Sequence, residues 1–161
     1  MEAPKKIRPT KLADYFEILT KAVFQSGISW QVVEGKWEGF RKAFAGFDPA
    51  RVARLKRSDV ERLMEDPGII RNRRKIEATM DNAGTMVALD EEFGGFKRYL
   101  GSHGGFEETA ADLKKRFRFL GDLGAYYFLH VVGEEVPPHD EWRRSHPSGP
   151  SKRRAPARTG R

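Results

Sequence analysis

The sequence predicts an all-α domain, and three observations lead there. Apolar residues recur at three- and four-residue spacing in one stretch after another, as they do along one face of a helix. No segment shows convincing strand alternation, and no internal repeat is present. Glycine and proline clusters interrupt the periodic stretches often, leaving turns of a few residues between roughly eight short helices.

Taken in order, residues 1–10 read as a disordered or loosely docked arm. From Lys11 the positions Leu12, Tyr15, Phe16, Leu19 and Val23 fall at helical spacing, so 11–25 is an amphipathic helix, with Glu17 and Lys21 placed for an i,i+4 ion pair. Gly27 ends it. Ser29 caps a following helix that carries Trp30, Val33, Trp37, Phe40 and Phe44 inward. Asp48 and Pro49 form a compact start signal, N-cap followed by proline at the first helical position. Ser58 to Glu61 reads as a capping box for a short helix through Glu65, and Asp66-Pro67-Gly68 as a turn. A long helix follows with Ile76, Thr79, Met80, Ala83, Met86 and Val87 on one face. Gly94-Gly95 and Gly104-Gly105 bracket a short helix. A last amphipathic helix, from Thr109 to Phe117, turns Leu113 and Phe117 inward and Lys114, Lys115 and Arg116 outward.

The stretch from Phe119 to Trp142 organises the rest. Gly121 and Gly124 bracket Asp122 and Leu123, so left-handed or closely approached backbone is tolerated on both sides of the turn. Ala125 to Val132 is apolar nearly all round, the pattern of a helix buried on most sides, and Gly133 ends it as a C′ residue. Pro137-Pro138 then stiffens a non-helical segment that presents His139, Asp140 and Glu141. Glycines at a helix N-terminus leave backbone N–H groups free for a phosphate. The alternative is an αα-hairpin that only packs.

The chain has 161 residues, enough for one domain with a real core. No apolar run reaches the roughly 18 residues of a membrane span, and the first residues lack the apolar centre of a signal peptide. With no cysteine, disulfides and thiolate metal sites are excluded, a cytoplasmic setting is expected, and neither metal nor cofactor is. The net charge of +7 has a location. Residues 143–161 hold seven Lys or Arg and no acid, leaving 23 basic and 23 acidic residues in 1–142. Residues 1–142, the arm with the domain at 11–142, are therefore neutral overall. The tail at 143–161 has the composition of a disordered segment, either an arm that adds salt-dependent affinity for phosphates or a solubilising extension.

Several stretches resemble bacterial 3-methyladenine DNA glycosylase I. They are Phe16-Glu-Ile-Leu19 with Phe24-Gln-Ser-Gly-Ile-Ser-Trp30, Phe47-Asp-Pro-Ala-Arg-Val52, Asp59-Val-Glu-Arg-Leu63 and Ile69 to Ile76. Leu113 to Arg116 and Phe119-Leu-Gly121, with Tyr126 and Gly133, fit the closing hairpin of that family. The resemblance spans residues 12–140. It implies a helix-hairpin-helix domain that binds duplex DNA with damaged bases as a monomer, in the bacterial cytoplasm at the nucleoid. Its implied activity is base-excision repair: an alkylated, 3-methyladenine-like base is rotated out of the stack and its N-glycosidic bond hydrolysed. Two rivals stand beside it: a non-catalytic protein that binds lesions or structured DNA, and an all-α protein with no role on DNA.

On this resemblance Trp30 stacks the extruded base, and Phe24 is either a second stacking face or a core aromatic. An alkylated purine carries positive charge, which an aromatic face favours further. Gly121, Asp122, Leu123 and Gly124 present backbone to a phosphate. Asp140 lies where the wider superfamily places the aspartate that stabilises the sugar cation and orients water; otherwise it is the N-cap of a last turn through Trp142. Glu141 and Glu17 are substitutes, Glu17 from the base pocket. His139 orients Asp140, meets a phosphate, or is a plain surface residue. Lys21 is either a Schiff-base lysine or the ion-pair partner of Glu17. Arg71, Arg73, Arg74 and Lys75 crowd a helix start, where cations oppose the dipole, so either Glu65 and Asp66 or a DNA backbone compensates them. The sequence also departs from the family. The pocket glutamate, eight residues before the tryptophan of the Gly-x-Ser-Trp motif, is Ala22 here. The Cys-rich N-terminal segment with its pocket tyrosine has no counterpart, so the family's zinc, on two Cys and two His, has no ligand set.

Overall fold

Helices form where the apolar spacing places them. The computed structural model describes residues 4–146, and among these ten α-helices and one 3-10 turn form, with no strand. Helix α1, Leu12–Gln25, is opened by Asp14, whose carboxylate accepts from the N–H groups of Thr10 and Lys11. The expected single helix from Trp30 to Phe44 is two, α2 at Trp30–Gly35 and α3 at Trp37–Ala43. They break at Lys36 (φ −110°, ψ 8°), which leaves helical geometry. The cause is packing. The backbone of Gly39 closes on the Asp66–Gly68 turn so tightly that a Cβ there would stand 2.0 Å from the Gly68 carbonyl oxygen. Lys36 Nζ donates to the Pro67 carbonyl beside it.

Helix α4, Pro49–Val52, has Asp48 as its cap, accepting from the Ala50 N–H. Helix α5, Arg57–Leu63, begins before Ser58, so that residue does not cap it. Asp59, in the first turn, instead reaches back to the Lys56 N–H at 2.7 Å. The long helix α6, Arg73–Phe93, is capped by Asn72 and ended by left-handed Gly94, and α7 follows at Phe96–Leu100. Helices α8, Phe106–Arg116, and α9, Asp122–Val131, form the hairpin. Gly133 (φ +90°) closes α9 through the Gly133 N–H to His130 and the Glu134 N–H to Leu129, a Schellman ending.

The core lies between α1, α6 and α9. Helix α6 packs on α1, α4 and α7, and α9 packs on α1 and α8. Phe16, Phe24, Phe40, Phe44 and Phe47 are fully buried, and Trp37 stacks on Phe47 at 5.1 Å. The N-terminal arm docks: the Ile7 N–H donates to the Val131 carbonyl at 2.7 Å. The segment after Pro138 is helical, contrary to the loop expected there. Helix α10, His139–Ser145, seats Trp142 against Tyr126 at 4.6 Å, and the Tyr126 hydroxyl donates to the Pro137 carbonyl. Burying that tryptophan gives the short helix its anchor. Arg143 and Arg144, expected in the tail, belong to it; the tail from residue 147 onward and residues 1–3 of the arm lie outside the described residues. Among the described residues no helix is long and apolar enough to cross a membrane.

Candidate functional site

Lys21 of α1 and Glu34 of α2 meet where these helices adjoin. Helical spacing sets Lys21 and Gln25 on one face of α1, Trp30 and Glu34 on one face of α2, and Leu123 and Tyr127 on one face of α9. Among the described residues Trp30, 45% exposed, is the one large hydrophobic aromatic side chain that is exposed, and Leu123 is 63% exposed. Lys21 Nζ meets both oxygens of Glu34, at 3.1 and 3.2 Å, and also lies over the Trp37 ring at 4.9 Å. Burial pushes the Tyr127 phenol up to about 12, with the charges of Glu34 and Glu17 acting the same way and Gln25 opposing. The phenol therefore keeps its proton at neutral pH.

The hairpin turn lies against α1. Gly121 is the N-cap of α9 and has no side chain to cap it, so the amides of the first turn at Asp122, Leu123 and Gly124 are free of intrahelical partners. A side chain at Gly124 would stand 3.7 Å from the Ala22 methyl group, so position 22 on α1 looks directly onto that turn. Ala22 is buried and brings no carboxylate. Asp122 is paired with Lys114. Before the turn, Phe119 takes left-handed backbone (φ 59°), with the Arg74 guanidinium over its ring at 5.4 Å. A non-glycine residue in this region costs about 1–2 kcal/mol, so the turn is held by its neighbours. Asn82 on α6 does much of this, clamping the backbone of Arg118 from a buried position.

Several expected roles change on this geometry. Phe24 is fully enclosed between Phe40 and Phe44, so it is a core ring with no face to stack a ligand. Glu17 does not pair with Lys21; its carboxylate accepts from Trp37 Nε1 at 2.8 Å and from Arg41 at 2.6 Å, while Lys21 turns to Glu34. Lys75 is buried and its ammonium donates to the carbonyls of Phe24 and Ser26, which closes the C-terminus of α1 and keeps it from any external phosphate. Arg73 is held by Glu61 in a two-bond pair, so neither Glu65 nor Asp66 supplies the compensation there. Arg71 and Arg74 remain exposed. Asp140 and Glu141 lie exposed in the first turn of α10, where Pro138, and not Asp140, is the N-cap; the ring of His139 meets Tyr126.

Sequence reasoning missed Glu34, Tyr127 and Asn82. Glu34 was within reach as the residue one turn beyond Trp30. Tyr127 was hidden in an apolar run that reads as core, and Asn82 in the inward face of α6. Two shallow concavities elsewhere, one along Lys11, Asp48 and Pro49 and one along Ile7, Arg8 and Gly133, touch neither Trp30 nor the hairpin. Trp30 leaves an open aromatic face on α2, with the Lys21–Glu34 pair one helical turn away.

The chain is similar to known proteins along most of its length. Residues 8–114 match the family model described as methyladenine glycosylase. DNA-3-methyladenine glycosylase 1 of Escherichia coli (strain K12) is 33% identical, over 73% of this chain and 74% of that protein. The DNA-3-methyladenine glycosylase of Haemophilus influenzae is 30% identical, over 68% and 70% respectively. A crystal structure of 3-methyladenine DNA glycosylase I superposes with a TM-score of 0.70 at 31% identity, covering 79% of this chain and 81% of that one. The Staphylococcus aureus enzyme, in a structure describing 3-methyladenine recognition, gives 0.71 at 25% identity and 80% coverage of both chains.

Proposed function

The chain belongs to the methyladenine glycosylase family, and on that premise we propose that it is a DNA glycosylase of base-excision repair. It hydrolyses the N-glycosidic bond of alkylated, 3-methyladenine-like bases in duplex DNA, acting as a monomer at the nucleoid in the bacterial cytoplasm. The observation that carries this reading is the uncapped glycine turn whose Gly124 approaches Ala22 of α1, the helix that leads to the exposed Trp30. The turn at Gly121, Asp122, Leu123 and Gly124 offers backbone N–H groups to a phosphate, and Arg71 and Arg74 add charge. Trp30 stacks the extruded base, which unstacks most easily when it is damaged. Alkylation leaves the base positively charged and already a good leaving group. The protein then has to position it and stabilise the sugar cation that remains, and Asp140 is the carboxylate we assign to that task and to orienting water.

One observation favours a second reading. The buried methyl group of Ala22 stands where a pocket glutamate is expected, which suits a lesion-binding protein without turnover. Base release from methylated duplex DNA, compared among wild type, Trp30→Ala and Asp140→Asn, separates the two. Release that Asp140→Asn abolishes supports the enzyme and its catalytic residue together. Release that persists in Asp140→Asn keeps the enzyme and moves the chemistry to another carboxylate. Absence of release, with lesion binding that Trp30→Ala weakens, gives the case to the binder.

A further inference from the structure

We infer that Arg51, Arg54, Lys56 and Arg57, the cations between α4 and α5, form a strip that grips the sugar-phosphate backbone of duplex DNA beyond the hairpin. The inference rests on the DNA-binding reading above and deepens it, by naming the surface that takes the duplex flanking the damaged base.

The neutrality of residues 1–142 conceals a separation of charge. Residues 36–75 hold twelve Lys or Arg against six acids, and residues 76–142 hold six against thirteen. Within the basic half, Arg41, Arg62 and Arg73 are paired with carboxylates, and Lys36 and Lys75 donate to backbone carbonyls. The run from Arg51 to Arg57 differs. It carries four cations and no acid, and all four are exposed. Among the described residues none of the four has a carboxylate within ion-pair distance.

The fold turns these side chains outward and joins them to the hairpin. Val52 is fully buried and Leu55 packs on the core, while Arg51 and Arg54, three residues apart on the same turn, point to solvent. In α5 the buried residues are Val60 and Leu63, which leaves Arg57 on the outer face with Glu61 four residues on. Glu61 bridges to α6 through its two bonds with Arg73. Arg73, with Arg57 adding to it, holds the Glu61 carboxyl below its ordinary range, so the three charges lie close together. Arg74 follows on α6 and covers the Phe119 ring at the entrance to the hairpin turn. A path of positive charge thus runs from the turn through Arg74 and the Arg73–Glu61 pair to Arg57, Lys56 and Arg54.

Like charges set side by side repel one another, and a polyanion relieves that repulsion along the whole row. Duplex DNA presents one negative charge about every 1.7 Å along its axis, which suits an elongated strip. Exposed Arg and Lys side chains contact phosphates without reading sequence. Continuity with the hairpin lets one duplex reach both surfaces.

The test is the salt dependence of binding of the full chain to methylated duplex DNA, followed by fluorescence anisotropy. Arg54→Gln combined with Arg57→Gln is expected to reduce the slope of log affinity against log salt by about 2. Arg54→Lys with Arg57→Lys keeps the charge and should keep the slope. Lys97→Gln with Arg98→Gln removes the same charge from α7, in the acidic half, and should also keep it. Equal reductions in both glutamine variants would trace the effect to net charge and overturn the inference, as would a reduction in the lysine variant. If the slope is unaltered throughout while wild type binds DNA and releases the base, the strip is a solvated face and the glycosylase reading stands without it. If wild type neither binds nor releases, reading and inference fall together.

Discussion

Asn82 and the backbone of Arg118 are joined twice. Asn82 Nδ2 donates to the Arg118 carbonyl at 3.1 Å, and the Arg118 N–H donates to Asn82 Oδ1 at 2.8 Å. A buried amide on the long helix thus holds the loop that enters the hairpin, next to the left-handed Phe119. The side chain of Arg118 is tied to the same helix through Asp81.

Asn82→Ala is expected to lower stability by about 1–3 kcal/mol, because two backbone groups lose their partners. It should also lower affinity for lesion-containing DNA, since the turn at Gly121 would no longer be held in one geometry. Urea unfolding and a DNA titration on the same protein check both. Unchanged DNA affinity in a destabilised but folded variant would mean that the clamp serves the fold alone.

Arg74 and Lys75 are neighbours in sequence with opposite expected behaviour. Removing the exposed Arg74 should reduce the slope of log affinity against log salt by about 1 and leave stability nearly unaltered. Lys75→Met should leave the slope unaltered and cost about 1–3 kcal/mol, since the carbonyls of Phe24 and Ser26 lose a buried donor. A reduced slope in Lys75→Met would contradict the buried position of this lysine.

What was legible in the sequence, and what was not, divides along the range of the interaction. Caps formed by near neighbours, such as Asp48 with Pro49, and endings set by one glycine, such as Gly133, follow from local chemistry and were readable. The break at Lys36 depends on Gly68, and the burial of Lys75 depends on the end of α1; both join segments distant in the chain. The same holds in the site. Trp30 announces itself beside a glycine turn, but the choice of Lys21 between Glu17 and Glu34 is made by Trp37 and Arg41, which occupy Glu17 first. Local spacing favoured the i,i+4 pair, worth only about 0.2–0.5 kcal/mol, and tertiary partners outweighed it.

Gly39→Ala should be among the most damaging single-methyl changes in the chain. The added Cβ would stand 2.0 Å from the Gly68 carbonyl oxygen and 2.7 Å from its carbon, both backbone atoms with no rotamer to yield. Helix propensity alone would favour alanine by about 1 kcal/mol, so the sign of the measured change is itself informative. A loss of roughly 1–3 kcal/mol or more is expected, read as a fall in the urea midpoint. A gain in stability would mean that α3 and the Asp66–Gly68 turn are not in contact in solution.

Asp112 gathers three donors: the Tyr99 hydroxyl at 2.6 Å, Arg116 Nε at 2.9 Å and His103 Nε2 at 3.2 Å. Burial on its own would raise this carboxyl, but the hydrogen bonds from Tyr99, His103 and Arg116 outweigh it and hold the group below its ordinary 3.8. The unfolded chain therefore binds the proton more readily, and stability rises with pH where the unfolded carboxyl titrates. The contribution is complete above that range and is lost as pH falls through about 4 and below. Asp112→Asn should consequently cost about 1.5–3 kcal/mol at pH 7, the worth of hydrogen bonds to a charged group, and distinctly less near pH 3. Urea unfolding of both proteins at the two pH values measures this, and an equal cost at both would show that the network acts through shape and not through the charge of Asp112.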